Sequence, residues 1–448
     1  MNYNSRSRCQ FRRCRCRWAT EAEWTARVKN KQLGAGELLR HGWKGRWPNT
    51  RKGGDGKLAG RTVGNEQAHL AEVFVEKILR IQPDVKKIFL LVRAADTSSA
   101  EQRVLNEVIG NELFGPLREN YGSNFYSFMK EKISPLAGDI INENLGLESL
   151  EILKLSKEID IIVNGAATTN FYERYDVSLA SNVLGAKYVC KFAKKCANLK
   201  MFLHISTAFV SGEQEGLLLE KVFQIGETLK EGCHLDIAAE LQLVESVKAE
   251  LTHSTNARQF GWPNTYVFTK AMGEMLVGHF GRELPVVIIR PSIVSSIYHD
   301  PLPGWIEGTR TIDSIISAYA KQTIPHFIAM AVHWSERGQV IIHVTSSQQN
   351  PLSTSTMLDL MYRYFTANPQ TMGKNGKVVK TKRLNITNKT GFRAYIFNGT
   401  NLARLQTATT QDQSKEACVL NFDPKSIDWE YYLYNSHIPG VMKYAHKK

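Results

Sequence analysis

Six short apolar runs recur along the chain, with stretches of helical apolar spacing between them, and this alternation restricts the fold more than any single residue does. The runs are IFLLVR (88–93), KISPLAGDI (132–140), DIIVNGAA (160–167), MFLHIST (201–207), PVVIIRPSIV (285–294) and IIHVTSS (341–347). Parallel strands need long crossovers, and helical crossovers cover both faces of the sheet, so apolar runs joined by helices point to a buried parallel sheet. The expected fold class is α/β, a doubly wound Rossmann-type parallel sheet. A closed barrel is disfavoured because the strand ends carry the polar or Gly/Ala-rich turns of a ligand crevice. After Asn350 the pattern changes to helix, basic loop and a Trp/Tyr-rich end, read as a separate small helical module.

The alternation begins abruptly. In VGNEQAHLAEVFVEKILR (63–80), Leu70, Val73, Phe74, Ile78 and Leu79 share one helix face, and IQPDVKKIFLLVR then turns into a strand. Helix followed by strand is the second half of a βαβ unit, whose first half in nucleotide-binding proteins is an apolar strand and a glycine-rich turn. The residues ahead of this helix, RTVGNEQAH, contain one glycine and no apolar strand.

Charge divides the chain. Residues 1–61 hold 16 Lys and Arg against 4 Asp and Glu, while the remaining residues hold 41 against 39. Residues 1–61 have no sustained periodicity and contain RKGGDGK, so a disordered basic N-terminus is expected. Its Arg-rich, acid-poor composition fits an organelle transit peptide, and its tryptophans and glycines fit an unstructured leader. The body of the chain is nearly neutral, which argues against a nucleic-acid partner, because phosphate contacts need clustered cations. Of seven cysteines, Cys9, Cys14 and Cys16 lie in the leader and the other four are scattered. No zinc spacing is present, so no metal is expected, and a reduced intracellular compartment fits the cysteine usage. No stretch reaches the roughly 18 apolar residues of a membrane helix.

The segment most informative about chemistry is GWPNTYVFTKAMGEML (261–276). Tyr266 and Lys270 lie four residues apart in a helical context, one turn apart on one face. A lysine beside a phenol favours the phenolate, so such a pair can give a proton to a carbonyl oxygen as its carbon receives a hydride. By itself the spacing also fits an amphipathic helix with an exposed lysine. HISTAFVSG (204–212) puts Ser206 and Thr207 at the carboxyl end of a strand, where parallel sheets carry their chemistry, although either hydroxyl alone fits a strand-end cap. RPSIV after the next strand supplies a third piece in the same order.

These segments, with VFVEKILRIQPDVKKIFLLVRA, AGDI, NGAATTNF, PGWIEGTRTID and FDPKSIDWEYYLYNSHIPGV, resemble the plant-type alcohol-forming fatty acyl-CoA reductases of the extended short-chain dehydrogenase/reductase superfamily. The resemblance spans most of residues 72–328 and about 30 residues at the C-terminus. It implies NADPH as cofactor, a long-chain acyl-CoA as substrate, and reduction through an enzyme-held aldehyde to a primary fatty alcohol, a step of lipid and wax biosynthesis. By position, Tyr266 is the implied general acid, Lys270 tunes it and holds the nicotinamide ribose, and Thr207 orients the carbonyl. Thr207 is preferred to Ser206 because its spacing to Gly212 matches the family's hydroxyl position. Arg93 is implied to pair with the 2′-phosphate, since a guanidinium fork matches phosphate oxygens and selects NADPH. Asp139 is assigned to adenine, Ala166 to the flank of the cofactor, and Pro291 and Ser292 to the nicotinamide edge. The family also implies peripheral membrane association at the endoplasmic reticulum surface, a cytoplasmic location, or a plastid.

The chain departs from the family in three places. Aligned on Val73, Asn65 and Ala68 stand where two phosphate-loop glycines belong, and side chains there obstruct pyrophosphate at the helix N-terminus. A segment of about 20 residues is absent after HFIAM (326–330). The C-terminal module is shortened between Asn385 and Lys415, within an expected division into a leader (1–61), a reductase domain (62–350) and a truncated C-terminal module (351–448). Impaired catalysis is the expected consequence, and two other readings stay open. One is an inactive paralogue that binds acyl chains or a reductase partner. The other is an extended reductase acting on a different carbonyl, such as a sugar nucleotide or flavonoid.

Overall fold

The computed structural model describes residues 66–171, 173–212, 214, 216–246, 255–308, 311–320, 340–346, 348–370, 380–383, 395–411 and 423–445, all within the compact unit Gly60–Lys448. The leader 1–61, Asn65 and the junction after HFIAM lie outside the described residues. Helix α1 (Glu66–Ile81) opens the described part, so Ala68 falls in its first turn. Val75 and Leu79 are buried on its inner face, while Phe74, grouped with them by spacing, stands 41% exposed.

Beyond α1 the elements alternate as the apolar runs predict. They are β1 (Ile88–Val92), α2 (Thr97–Arg103), α3 (Gly115–Tyr121), α4 (Phe125–Lys132), β2 (Ile133–Ala137), α5 (Ser149–Glu158), β3 (Ile161–Asn164), α6 (Gly185–Ala193) and β4 (Met201–Ile205). They continue through β5 (Gly216–Leu218), α7 (Ile237–Ser246), α8 (Thr265–Phe280), β6 (Val286–Pro291), α9 (Thr311–Ala320) and β7 (Val340–Val344). The C-terminal part adds α10 (Thr354–Ala367), β8 (Tyr395–Phe397), α11 (Thr400–Gln411) and α12 (Ile438–Tyr444).

Among the described residues every strand pairing is parallel, as the sequence predicts, but the main sheet is divided. β1 pairs with β2, Ile88 opposite Ile133 and Val92 opposite Ala137. The other sheet runs β3-β4-β6-β7, with Ile161 opposite Met201, Phe202 opposite Val286 and Val287 opposite Val340. Among the described residues no strand joins β1 to β3. A strand entering α1 would return beside β1 on the side that β2 leaves free, because a strand–helix–strand crossover keeps one hand. The break therefore falls where the sequence lacks an apolar run before α1. β3 bears the mark of it. It buries Ile162 and Asn164 but leaves Ile161 51% and Val163 37% exposed, whereas an interior strand of a doubly wound sheet is covered on both faces.

Packing holds the two sheets together. Phe89, Leu91 and Leu136 from the two-stranded sheet share one core with Ile162, Phe202, Ile288 and Ile341 and with Ile152, Leu155, Val189 and Phe192 of the covering helices. Burial of each large side chain of this kind contributes about 2–3 kcal/mol. The described part of residues 351–448, expected as a separate module, shares a core with the rest of the chain. Met361 and Phe365 of α10, with Tyr432 and Val441, lie in the cluster that contains Val75, Leu79, Leu113 and Phe114. The contact is close at one point: a Cβ on Gly440 would lie 1.9 Å from the Gly304 carbonyl oxygen, and Gly304 itself holds φ +79°. PGWIEG and HIPGV thus meet backbone to backbone.

Candidate active site

The site is assembled by the segment GWPN. Gly261 takes φ +96°, open to glycine at little cost, and packs against Leu229. Trp262 is fully buried and its Nε1 donates to the Val210 carbonyl at 2.7 Å, fastening the start of α8 to the turn that follows β4. The Asn264 side chain accepts from the Val267 N–H at 3.1 Å and caps α8. The strand end that carries Ser206 and Thr207 and the helix that carries Tyr266 and Lys270 are therefore held together.

Tyr266 is 5% exposed and Lys270 is 1% exposed one turn later. Lys270 is not the solvated helix lysine that spacing alone allows. Its Nζ donates to the Ile205 carbonyl at 2.6 Å, two residues before Thr207. Burial pushes its pKa down to about 8, against the opposing pull of Glu274. Glu274 is buried with Arg290 of β6, which grips it through Nε at 2.9 Å and Nη2 at 2.5 Å. His204, beside Lys270 and fully buried, is held neutral by burial and by the lysine charge, and its Nδ1 accepts from the Asn164 amide at 3.1 Å. Thr207 Oγ1 accepts from the Phe209 N–H at 3.4 Å, capping the turn Ala208–Ser211, which leaves its own proton available to donate. Ser206 Oγ is buried without a protein partner among the described residues.

The other positions lie at carboxyl ends of parallel strands. Arg93 follows β1 and Asp139 follows β2, and the structure brings them within 3.9 Å, Nε to Oδ2, with the Arg93 side chain 60% exposed. Asp139 is fixed by its backbone N–H to Leu145 O at 2.9 Å and by Oδ1, which accepts from Ile141 N–H at 3.1 Å. The preceding Gly138 has no room for a side chain, since a Cβ would approach Leu145 O to 2.4 Å. Ala166 is exposed just beyond β3. Pro291 ends β6, and Ser292 donates its N–H and its hydroxyl to the Val344 carbonyl at 3.3 and 3.4 Å. Asn182 was not singled out by the sequence reading. It is 1% exposed inside a π-helical turn (Leu179–Leu184), accepts from Thr168 N–H at 2.9 Å, and donates to Thr168 O at 3.1 Å and Thr269 Oγ1 at 2.9 Å. Its signal was an amide beside Ser181 in the helical run LASNVL, and π turns often mark function.

As a test of fit, the buried lysine, the unpartnered Ser206 hydroxyl and the exposed Arg93 suit the two ends of a dinucleotide, whereas the sequence at the entrance to α1 lacks the glycines that admit its pyrophosphate. Among the described residues no grouping of His, Cys, Asp or Glu suits a metal ion, and no helix is long and apolar enough to cross a membrane. The fold and this site define a parallel-sheet protein whose buried Tyr266 and Lys270 lie beside the end of β4. The NAD-binding family described as male sterility protein matches residues 69–341. The chain is 38% identical over 468 aligned positions to the alcohol-forming fatty acyl-CoA reductase of Simmondsia chinensis, covering 84% of this chain and 95% of that relative. Against fatty acyl-CoA reductase 1 of Arabidopsis thaliana it is 38% identical over 470 positions, covering 85% and 96%. Against the chloroplastic fatty acyl-CoA reductase 2 of Arabidopsis thaliana it is 32% identical, covering 84% and 77%. This chain belongs to the fatty acyl-CoA reductase family, an oxidoreductase family that uses a nicotinamide cofactor. The 468 aligned positions exceed what 84% of 448 residues can supply, so the alignment carries gaps in this chain. Among solved structures, the terminal R domain of the myxalamid PKS-NRPS pathway aligns with TM-score 0.41 at 19% identity, covering 80% of this chain and 75% of that one.

Proposed function

We propose that this chain reduces long-chain fatty acyl-CoA with NADPH to a primary fatty alcohol, with Tyr266 as proton donor, Lys270 as its electrostatic partner and Thr207 orienting the carbonyl. The observation that carries the reading is the buried Lys270 ammonium, drawn to the strand end beside Ser206 and Thr207. A charge is costly to bury unless it has work at that place. The bound nicotinamide supplies hydride. In the first reduction the thioester carbon would gain hydride, its C–S bond would break, and the coenzyme A sulfur would leave as thiolate and take its proton from solvent. In the second the aldehyde carbon gains hydride and Tyr266 gives its proton to the oxygen, the positive charge of Lys270 easing that loss. Thr207 donates to the same oxygen. Arg93, exposed beyond β1, suits the 2′-phosphate, and its partner Asp139 holds the guanidinium toward the cofactor end of the sheet. Ala166, Pro291 and Ser292 would flank the bound cofactor.

Purified protein incubated with NADPH and palmitoyl-CoA is expected to yield hexadecanol, with hexadecanal trapped by hydrazine in single turnovers, and Tyr266→Phe is expected to lose about 10²–10⁴-fold in rate. Absence of both products from the wild type sinks the reading. A second reading, an inactive paralogue that keeps acyl-CoA binding, is favoured by the divided sheet and by Asn65 and Ala68 in place of glycines. It predicts palmitoyl-CoA binding without turnover, and a gain in NADPH affinity when Asn65→Gly and Ala68→Gly are combined.

A further inference from the structure

The segment after β3 is polar through Thr168, Thr169 and Asn170 and then presents Phe171, a large apolar side chain left 43% exposed. Its ring stacks on that of Tyr266, with centroids 5.7 Å apart and planes at 29°. The stack is held from below. Asn182 grips both backbone groups of Thr168 and also donates to Thr269, which lies on α8 between Tyr266 and Lys270. One buried amide thus ties the loop that carries Phe171 to the helix that carries Tyr266. On the far side of β4, the segment after β6 leaves Ile293 50% exposed, so large apolar surface flanks the hydroxyl-bearing strand end on both sides.

We infer that Phe171 is a specificity-determining residue, its ring forming the apolar wall on which the first carbons of an aliphatic acyl chain lie when the thioester carbonyl addresses Tyr266. The inference rests on the proposed role of Tyr266. A carbonyl oxygen within hydrogen-bond reach of the phenol puts the neighbouring methylene groups a few ångströms from the tyrosine ring, and the surface adjoining that ring is Phe171. Hydrocarbon is held by removing apolar area from water, without directional bonds, so an exposed ring at this place selects an aliphatic chain over an acyl group with a polar substituent near the thioester. Trp262, just before α8, and Phe268, on it, are by contrast fully covered.

The test compares wild type, Phe171→Ser and Phe171→Leu. Binding of palmitoyl-CoA is measured by calorimetry, KM and kcat for palmitoyl-CoA and for 3-hydroxypalmitoyl-CoA by product formation, and Tm by thermal unfolding. Phe171→Ser is expected to weaken palmitoyl-CoA binding and raise its KM about tenfold, with a smaller change for the 3-hydroxy substrate. KM for NADPH stays at the wild-type value, and Phe171→Leu recovers most of the loss. Equal palmitoyl-CoA binding in wild type and Phe171→Ser overturns the inference, as does an equal loss for both acyl substrates. If Phe171→Ser lowers Tm, binding and kinetics are read below its unfolding transition, and a loss confined to kcat overturns the inference. Wild type that binds palmitoyl-CoA without turning it over refutes the reduction reading alone, and the binding arm still tests Phe171. Wild type that does not bind palmitoyl-CoA overturns both.

Discussion

Replacing Lys270 with Met is expected to stabilise the protein while abolishing its chemistry. Lys270 is 1% exposed, and its ammonium has one protein acceptor, Ile205 O at 2.6 Å. Burial holds its pKa at about 8 rather than 10.5. At about 1.4 kcal/mol per pH unit, the charged form is on the order of 3 kcal/mol costlier in the folded than in the unfolded chain. Methionine fills nearly the same volume without charge, and loss of the donor to Ile205 O costs about 1 kcal/mol. Glu274 keeps its two bonds to Arg290. The net gain at pH 7 is about 1–2 kcal/mol, a Tm rise of roughly 1–3 °C for a chain of this size. Because the folded pKa is depressed, the unfolded chain binds the extra proton between pH 8 and 10.5, so wild-type stability rises with pH across that window and the variant's does not. The advantage of Lys270→Met is therefore largest below pH 8 and vanishes above 10.5. Urea unfolding at pH 7 and pH 10 reads this directly, with reductase activity expected to fall by about 10²-fold or more. A variant less stable than wild type at pH 7, or a stability difference that does not change with pH, refutes the reasoning. It would mean that the attraction of Glu274 outweighs desolvation.

Arg93→Gln is expected to raise KM for NADPH about tenfold or more while leaving KM for NADH near its wild-type value, since only NADPH carries the 2′-phosphate that a guanidinium fork addresses. Steady-state kinetics with both cofactors checks it. Gly440→Ala would drive a methyl group onto Gly304 O, and because both partners are backbone the strain cannot relax through a rotamer. A loss of about 2 kcal/mol or more is expected in chemical denaturation, with α12 displaced. Acid should destabilise the chain early. Burial depresses His437 to about 4 and His343 to about 2, so below pH 6.5 the unfolded chain takes up protons that the folded chain refuses. Stability is expected to fall by up to about 1.4 kcal/mol per pH unit for each histidine as pH drops from 6.5 toward 4, and His437→Gln should flatten that slope.

The parallel strands were legible because each apolar run carries its own period and its own bounding turns, and β1 through β7 fall on the six runs, β5 aside. Tyr266 and Lys270 were legible for a similar reason, since helix geometry brings residues four apart to one face. Burial of Lys270 was not legible, because spacing says which residues share a face and not what that face meets. Asn182 and Phe171 were missed on the same ground. Their partners, Thr269 and Tyr266, lie about 90 residues along the chain. The C-terminal helices looked like a module because the local pattern changes after Asn350, but their core partners Val75 and Leu79 lie on α1.

The sequence by itself determined the α/β class, the family motifs and the irregular entrance to α1, all matters of local period or of residue type at fixed spacing. Only the tertiary structure decided that the sheet divides between β1 and β3, that Arg93 meets Asp139, and that PGWIEG clasps HIPGV through Gly304 and Gly440. Those outcomes depend on which surfaces are left to pair once the local elements have formed. Non-local pairing and burial are set by the whole chain at once, and a pattern read along one line does not contain them.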